Sequence, residues 1–349
     1  MMAKTTSDGI LEMTMAEALR DAMRLAMRAD PNVFLLGEDI GVKGGFGGGF
    51  TVTLGLADEF GHQRVMDTPI SEAAIIGAAV GAAMVGMRPV AEMQYGDFVF
   101  GGMDQVVNQA AKMHYMSNGQ VCVPLVLRLP VGATRRGAQH AQSTEAYWMH
   151  TPGLKVACPS NPYDAKGLLY AAIWDENPVV FLEHKLLYGG KGGRKETTSL
   201  DPVMQVPEEA YEVPLGTVKV VREGTDVTIL ANMLMVYRAL EAADTLTEDG
   251  IQAEVIDMRS LLPLDMGTLE NSVKKTNRVL IVEEDNLTGG WGAEVAARLG
   301  EHVFYHLDAP IKRIAAPDTP APTALPLEQE YLPDAQRIAG AARRLMDGG

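Results

Sequence analysis

The stretch Met66-Asp67-Thr68-Pro69-Ile70-Ser71-Glu72-Ala73-Ala74-Ile75-Ile76-Gly77-Ala78-Ala79-Val80-Gly81-Ala82-Ala83-Met84-Val85-Gly86-Met87-Arg88-Pro89-Val90 decides the reading of the fold. After Glu72 the residues are Ala, Gly, Ile, Val and Met, with no charge before Arg88. Such a run predicts a helix over 72–85 that is small on every side and buried, packing closely against its neighbours through Gly and Ala. Ser71 is the expected N-cap, so Glu72 stands in the first turn, where orphan N–H groups and the helix dipole suit an acid. A carboxyl there is partly removed from water, and burial raises a carboxyl pKa. An acid at a helix start is ordinarily a capping contribution. Its isolation ahead of an uncharged helix makes Glu72 a candidate for proton chemistry.

Outward from this helix, short apolar strands alternate with helices. Thr14 and Glu17 form a capping box, and Met15, Ala18, Leu19, Ala22, Leu25 and Ala26 follow at helical spacing. Strands are predicted over 33–36, 90–94, 123–129, 154–158 and 179–182, and further helices over 103–117 and 163–174. This pattern implies a mostly parallel sheet covered on both faces. Periodicity fades over 189–214, where Gly, Lys, Glu, Thr and Pro crowd together as in a linker. A second alternation follows, with strands at 227–231, 253–257 and 279–283, helices at 237–246, 266–275 and 291–299, and a last helix at 334–346. The expected organisation is a first α/β domain over 1–188, a linker over 189–214 and a smaller α/β domain over 215–349, both doubly wound.

Composition narrows the function. Thirty Lys and Arg against 45 Asp and Glu give a net charge of -15, which opposes binding to phosphate backbones and to anionic bilayers. Neither nucleic acid nor a membrane is an expected partner. Cys122 and Cys158 lie in apolar runs without a Cys-x-x-Cys spacing and read as buried free thiols of a reducing compartment. The N-terminus has no continuous apolar h-region, and 74–87 is too short and Gly-rich to span a bilayer, so a soluble cytoplasmic protein is expected. The glycine runs at Gly44-Gly45 and Gly47-Gly48-Gly49 lack the Gly-Lys-Ser/Thr of a phosphate loop and read as a flexible loop.

Asp67-Thr68-Pro69-Ile70-Ser71-Glu72, the small-residue helix and the turn Gly86-Met87-Arg88-Pro89 together resemble the cofactor-activating segment of the beta subunits of thiamine-diphosphate-dependent 2-oxo acid dehydrogenases. Ordered matches continue through Phe34-Leu35-Leu36-Gly37-Glu38-Asp39, Asp104-Gln105, Ala138-Gln139-His140, His150-Thr151-Pro152-Gly153-Leu154-Lys155-Val156, Asp164-Ala165-Lys166-Gly167-Leu168-Leu169 and Asn177-Pro178-Val179-Val180. The resemblance implies a transketolase-like pyrimidine-binding domain followed by a transketolase C-terminal-like domain. It implies that Glu72 bonds N1′ of the cofactor's aminopyrimidine and promotes loss of the C2 proton. Phe98 matches the ring that stacks on that pyrimidine, with Gln94 and Tyr95 as neighbours.

His140, in the polar loop 134–143, matches a histidine at the active-site mouth that stabilises the tetrahedral adduct or assists acyl transfer to a lipoyl group. Main-chain carbonyls of Leu125, Ala172, Ile173, Asp175 and Asn177 match a potassium site, although a plain loop at 174–178 explains the same residues. The Gly-Asp-Gly motif that holds magnesium and the diphosphate occurs nowhere in this chain. By resemblance an alpha subunit supplies it, within an alpha2beta2 heterotetramer that serves a dihydrolipoyl acyltransferase core and its lipoyl domain. A small 2-oxo acid is the implied substrate. Gln139-His140 looks more like the pyruvate and acetoin branches than the branched-chain branch. Acetoin dehydrogenase and branched-chain 2-oxo acid dehydrogenase beta subunits remain alternatives, and a noncatalytic interaction subunit is a reading of a different class. A self-sufficient transketolase-like enzyme is opposed by the missing diphosphate motif.

Overall fold

The computed structural model describes residues 9–42, 44–189 and 200–348. The chain forms two compact units, one of Met1–Val131 with Tyr147–Leu215 and the other of Gly132–Ala146 with Gly216–Gly349. The first contains β1 (Ile10–Thr14), α1 (Met15–Ala29), β2 (Val33–Gly37), α2 (Leu56–Phe60), β3 (Val65–Asp67), α3 (Glu72–Met84), β4 (Arg88–Glu92), α4 (Ala111–Met116) and β5 (Val126–Val131). After α5 (Glu145–Met149) it continues through β6 (Lys155–Ala157), α6 (Pro162–Trp174), β7 (Val179–His184) and β8 (Val203–Pro207). Within this unit six strands run in the order β6-β7-β5-β4-β2-β3, all parallel. Every residue of β2, β5 and β7 is buried, as expected of strands covered on both faces.

The capping box at the start of α1 is present: the Thr14 hydroxyl accepts from the Glu17 N–H while the Glu17 carboxylate accepts from the Thr14 N–H at 2.9 Å. Met15, Leu19, Ala22, Met23 and Ala26 make the buried face of α1. On α6, Lys166 is fully buried and places Nζ 2.8 Å from Asp21 Oδ2 of α1. A buried ammonium is costly unless paired, and this one also donates to the Pro207 and Glu208 carbonyls.

The second unit holds β9 (Lys219–Arg222), β10 (Val227–Ala231), α7 (Leu234–Glu248), β11 (Ala253–Asp257), β12 (Ser260–Leu262), α8 (Met266–Thr276), β13 (Val279–Asn286), α9 (Trp291–Val303), β14 (Lys312–Ala316), α10 (Leu325–Tyr331) and α11 (Ala335–Met346). Its sheet has the order β14-β13-β10-β11-β9, parallel except for the antiparallel edge strand β9. Among the described residues no helix is long and apolar enough to cross a membrane.

Several expectations are corrected. The helix starting at Glu72 is not buried all round: Ile75, Ile76, Ala79, Val80 and Ala83 face the core, while Ala73, Ala74, Ala78, Gly81 and Met84 are exposed. A helix made only of small and apolar residues has no polar stripe to reveal which side faces out. The helix expected over 103–117 is a π-helical turn, Gln105–Ala110, followed by α4, and it is preceded by a 3₁₀ segment, Gly96–Gly102. In the expected linker, 190–199 lie outside the described residues, whereas β8 pairs antiparallel with β1. Cys158 is a buried free thiol, but Cys122 is only half-buried. The glycine loop is pinned rather than open: the Gly48 N–H donates to the Asp39 carbonyl at 3.1 Å. Gly48 has φ +76°, and a Cβ there would lie 2.5 Å from Glu92 Oε1. The segment Gly132–Ala146, expected in the first domain, packs with the second unit.

Candidate active site

In the first unit the strand order reverses beside β2, since β3 lies on one side of it and β4 on the other. In open α/β sheets ligands bind outside the carboxyl ends of the strands at such a switch point. Three of the predicted residues gather around these ends. Glu72 opens α3 just after β3, Gln94 follows β4, and Phe98 lies in the next turn, Gly96–Gly102. Ser71 occupies the N-cap position as expected, but its hydroxyl makes no capping bond.

The turn carrying Phe98 closes on Glu72. A Cβ on Gly101 would stand 3.5 Å from Glu72 Oε2, and one on Gly102 would stand 2.6 Å from Ile76 Cδ1 and 2.9 Å from the Glu72 carbonyl oxygen. Only a residue without a side chain permits the approach at Gly102. The Phe98 ring is tilted against Tyr95 at 5.6 Å, Tyr95 meets Phe50 edge-on at 5.7 Å, and Phe50 stacks on Tyr188 at 4.9 Å. Phe98 is the half-buried end of this row, which leaves part of its surface accessible. Gln94 Nε2 donates to Asp39 Oδ2 at 3.3 Å, tying the ends of β2 and β4 together.

The sequence reading missed Glu38. It follows β2 directly and is buried, and its carboxyl is held above the usual range by burial first and then by the charges of Glu72 and Asp39. Its signal was available, because an acid pair directly after a fully apolar strand is out of place unless it faces a crevice. The Glu72 charge is thus felt at the Glu38 carboxyl, and two neighbouring acids beyond the strand ends are suited to holding a proton. In the same sheet, Arg128 of β5 donates Nε and Nη2 to Glu183 Oε1 and Oε2, each at 2.7 Å, and Nη1 to Glu92 Oε2.

His140 belongs to the other unit, on a half-buried loop position where its N–H donates to the Gly137 carbonyl at 3.0 Å. The five carbonyls proposed for potassium lie around the end of α6 and the starts of β5 and β7. The Arg88 guanidinium already donates to the carbonyls of Ile173 at 3.1 Å and Asp175 at 3.4 Å. Leu125 and Ala172 carbonyls accept from the Val179 and Asp175 N–H groups. Four of the five carbonyls thus accept one hydrogen bond each, and a carbonyl oxygen keeps a second lone pair, so these contacts neither form nor exclude a cation cage.

The first unit is thus a parallel α/β unit with neighbouring acids and an aromatic ring at its switch point, and a second, mostly parallel α/β unit follows it. Residues 12–191 match the transketolase pyrimidine-binding domain family, and residues 216–338 match the transketolase C-terminal domain family. A split-gene transketolase described as an inactive β4 tetramer shares the fold at a TM-score of 0.75 and 23% identity, with 96% of this chain and 99% of that one covered.

The chain belongs to the transketolase family, and within it to the beta subunits of 2-oxo acid dehydrogenases. It is 45% identical to the 2-oxoisovalerate dehydrogenase subunit beta of Bacillus subtilis, covering 96% of this chain and 99% of that protein. It is 47% identical to the acetoin:2,6-dichlorophenolindophenol oxidoreductase subunit beta of the same organism, over 95% and 97% of the two chains. It is 46% identical to the mitochondrial pyruvate dehydrogenase E1 component subunit beta-2 of Oryza sativa, over 98% and 88%.

Proposed function

We propose that this chain acts with an alpha subunit, in an alpha2beta2 heterotetramer, to decarboxylate a small 2-oxo acid of the pyruvate type and pass the acyl group to lipoyl-lysine of a dihydrolipoyl acyltransferase core. One observation carries the reading: Glu38, Glu72 and the turn bearing Phe98 converge at the carboxyl ends of β2, β3 and β4. Identities of 45%, 47% and 46% to the branched-chain, acetoin and pyruvate proteins do not separate these substrates. Gln139-His140 favours pyruvate or acetoin. The free thiols of Cys122 and Cys158 support a reducing, cytoplasmic setting.

Thiamine diphosphate, when bound, supplies the electron sink for decarboxylation. The residues of this chain fit its aminopyrimidine end. Glu72 would hold N1′ of the aminopyrimidine and share a proton with it. Glu38, whose surroundings favour its protonated form, is a second proton holder coupled to Glu72 by charge. Phe98 would stack on the pyrimidine, with Gln94 as its neighbour. His140 is assigned to the acyl-transfer step. The magnesium and diphosphate ligands are assigned to the alpha subunit.

The test is Glu72→Gln in the enzyme reconstituted with its alpha subunit. Acid–base assistance of this kind is worth about 10²–10⁴-fold, so the variant should bind cofactor but exchange the cofactor's C2 hydrogen for deuterium slower by that factor, as followed by NMR. A residue that only suits the helix dipole would cost roughly 0.3–1 kcal/mol of stability and leave exchange intact. Exchange at the wild-type rate removes Glu72 from the mechanism.

A further inference from the structure

The segment Gly132–Ala146 carries His140 but has no strand or long helix of its own, so its N–H groups must find acceptors elsewhere. At its first flank the Ala133 N–H donates to Glu284 Oε1 at 2.6 Å, and the Arg135 N–H donates to Glu328 Oε2 at 2.5 Å. At its second flank the Ala146 N–H donates to the Asp285 carboxylate, and Glu145 Oε1 accepts from Asn232 Nδ2 at 3.2 Å. The Gly132 N–H meets the Gln142 carbonyl at 3.0 Å and closes the base of the loop. Ala133 and Ala141 pack with Ala316, Ala321 and Tyr331.

Two features show that the bonds to Glu284 and Glu328 shape the loop. Both carboxylates are buried, at 5% and 3% exposure, a placement that costs free energy unless charge-assisted bonds offset it. Arg135 stands at φ +58°, a left-handed conformation that a side-chain-bearing residue keeps only when its surroundings hold it, and its own N–H is the one that Glu328 accepts. Glu284 lies near the end of β13 and Glu328 in α10, far from His140 in sequence.

We infer that Glu284 and Glu328 are positioning residues for His140: the second unit moulds the 132–146 loop through these two buried carboxylates and so sets where the histidine is presented. The inference rests on the assignment of His140 to acyl transfer. Glu328→Leu and Glu284→Leu remove the acceptors, whereas Glu328→Gln and Glu284→Gln keep a neutral one of roughly half the strength.

In the reconstituted alpha-containing enzyme, loss of a charge-assisted bond should speed amide hydrogen exchange at residue 135 (Glu328→Leu) or 133 (Glu284→Leu) by about 10- to 100-fold. The Gln variants should fall between Leu and wild type. Trypsin should cut faster after Arg136, which is exposed. Transfer to a lipoyl domain should fall in the same order, while decarboxylation read with a dye acceptor stays at wild type. Unchanged exchange and cleavage in all four variants would overturn the clamp, whatever His140 does. A loosened loop with undiminished lipoyl transfer would instead overturn the role given to His140, and with it the positioning claim. If the Leu variants do not assemble, the Gln pair decides: exchange within two-fold of wild type at both amides refutes the clamp.

Discussion

Arg128 shows how a single buried residue joins neighbouring strands of the first sheet. Its guanidinium is 1% exposed, bonded in bidentate fashion to Glu183 and singly to Glu92, and the Tyr188 hydroxyl donates to Glu183 Oε2 at 2.6 Å. Removing one member of such a group strands the opposite charges in the interior, which costs about 3–5 kcal/mol. Arg128→Met should lower the unfolding free energy of the first unit by that amount in urea titrations, and Arg128→Lys should recover less than half, because an ammonium cannot span two carboxylates in a plane. A loss under about 1 kcal/mol would mean that the cluster is not the internal brace described.

A second residue gives the second unit a pH signature. Burial pushes the Glu283 carboxyl up to about 7, against the lowering influence of the Gly292 N–H and Arg313. The folded state then binds this proton more tightly than the unfolded state, so the contribution of Glu283 to stability is full below about pH 4.5 and is lost as pH rises through about 7. Glu283→Gln stays neutral and should melt higher than wild type at pH 8 but alongside it at pH 5. Parallel melting curves at both pH values would contradict the raised pKa.

At the scale of elements, α3 carries the argument furthest. Its outward face, Ala74, Ala78 and Gly81 with neighbouring Val85 and Ile70, is small or apolar and uncharged in a chain with 45 acidic residues. Exposed apolar surface of this kind ordinarily marks a contact. Ala78→Glu costs little helix propensity and, on an exposed position, should leave circular dichroism unchanged. If this face joins two copies of the chain, Ala78→Glu should sediment as a smaller species than wild type in analytical ultracentrifugation, and a variant that sediments as wild type would free α3 from a self-interface.

The same helix marks the limit of what the sequence discloses. Its start at Glu72 and its length were legible from composition, because a capping position and an uncharged run are local properties. Which side faces out was not, because orientation is fixed by β4 and the Gly96–Gly102 turn. The strands β2 and β10 were legible as apolar runs, whereas β9 and β14 open with Lys219 and Lys312 and lie at sheet edges, where polar residues blur the pattern. Gln94 and Phe98 could be placed near Glu72 by resemblance. The bonds holding His140's loop join residues more than 150 positions apart, which no local pattern encodes.

For the whole molecule, the contents of the crevice set the last expectation. Each predicted contact to the cofactor in the first unit, Glu72, Phe98 and Gln94, addresses the aminopyrimidine, and the chain has no Gly-Asp-Gly for magnesium and diphosphate. The diphosphate is the strongly charged end of the cofactor, and a chain of net charge -15 offers it no general attraction. Purified alone, the protein should therefore bind thiamine diphosphate weakly, with or without magnesium. A ligand present at 100 times its dissociation constant stabilises the folded state by about 2.7 kcal/mol, whereas one present well below that constant adds almost nothing. Addition of cofactor and magnesium should leave the melting temperature of the isolated chain unchanged and raise that of the chain coexpressed with its alpha subunit by several degrees, with calorimetry giving tight, magnesium-dependent binding only in the second case. Tight binding by the isolated chain would mean that it carries its own diphosphate site, and the division of the cofactor between two subunits would fall.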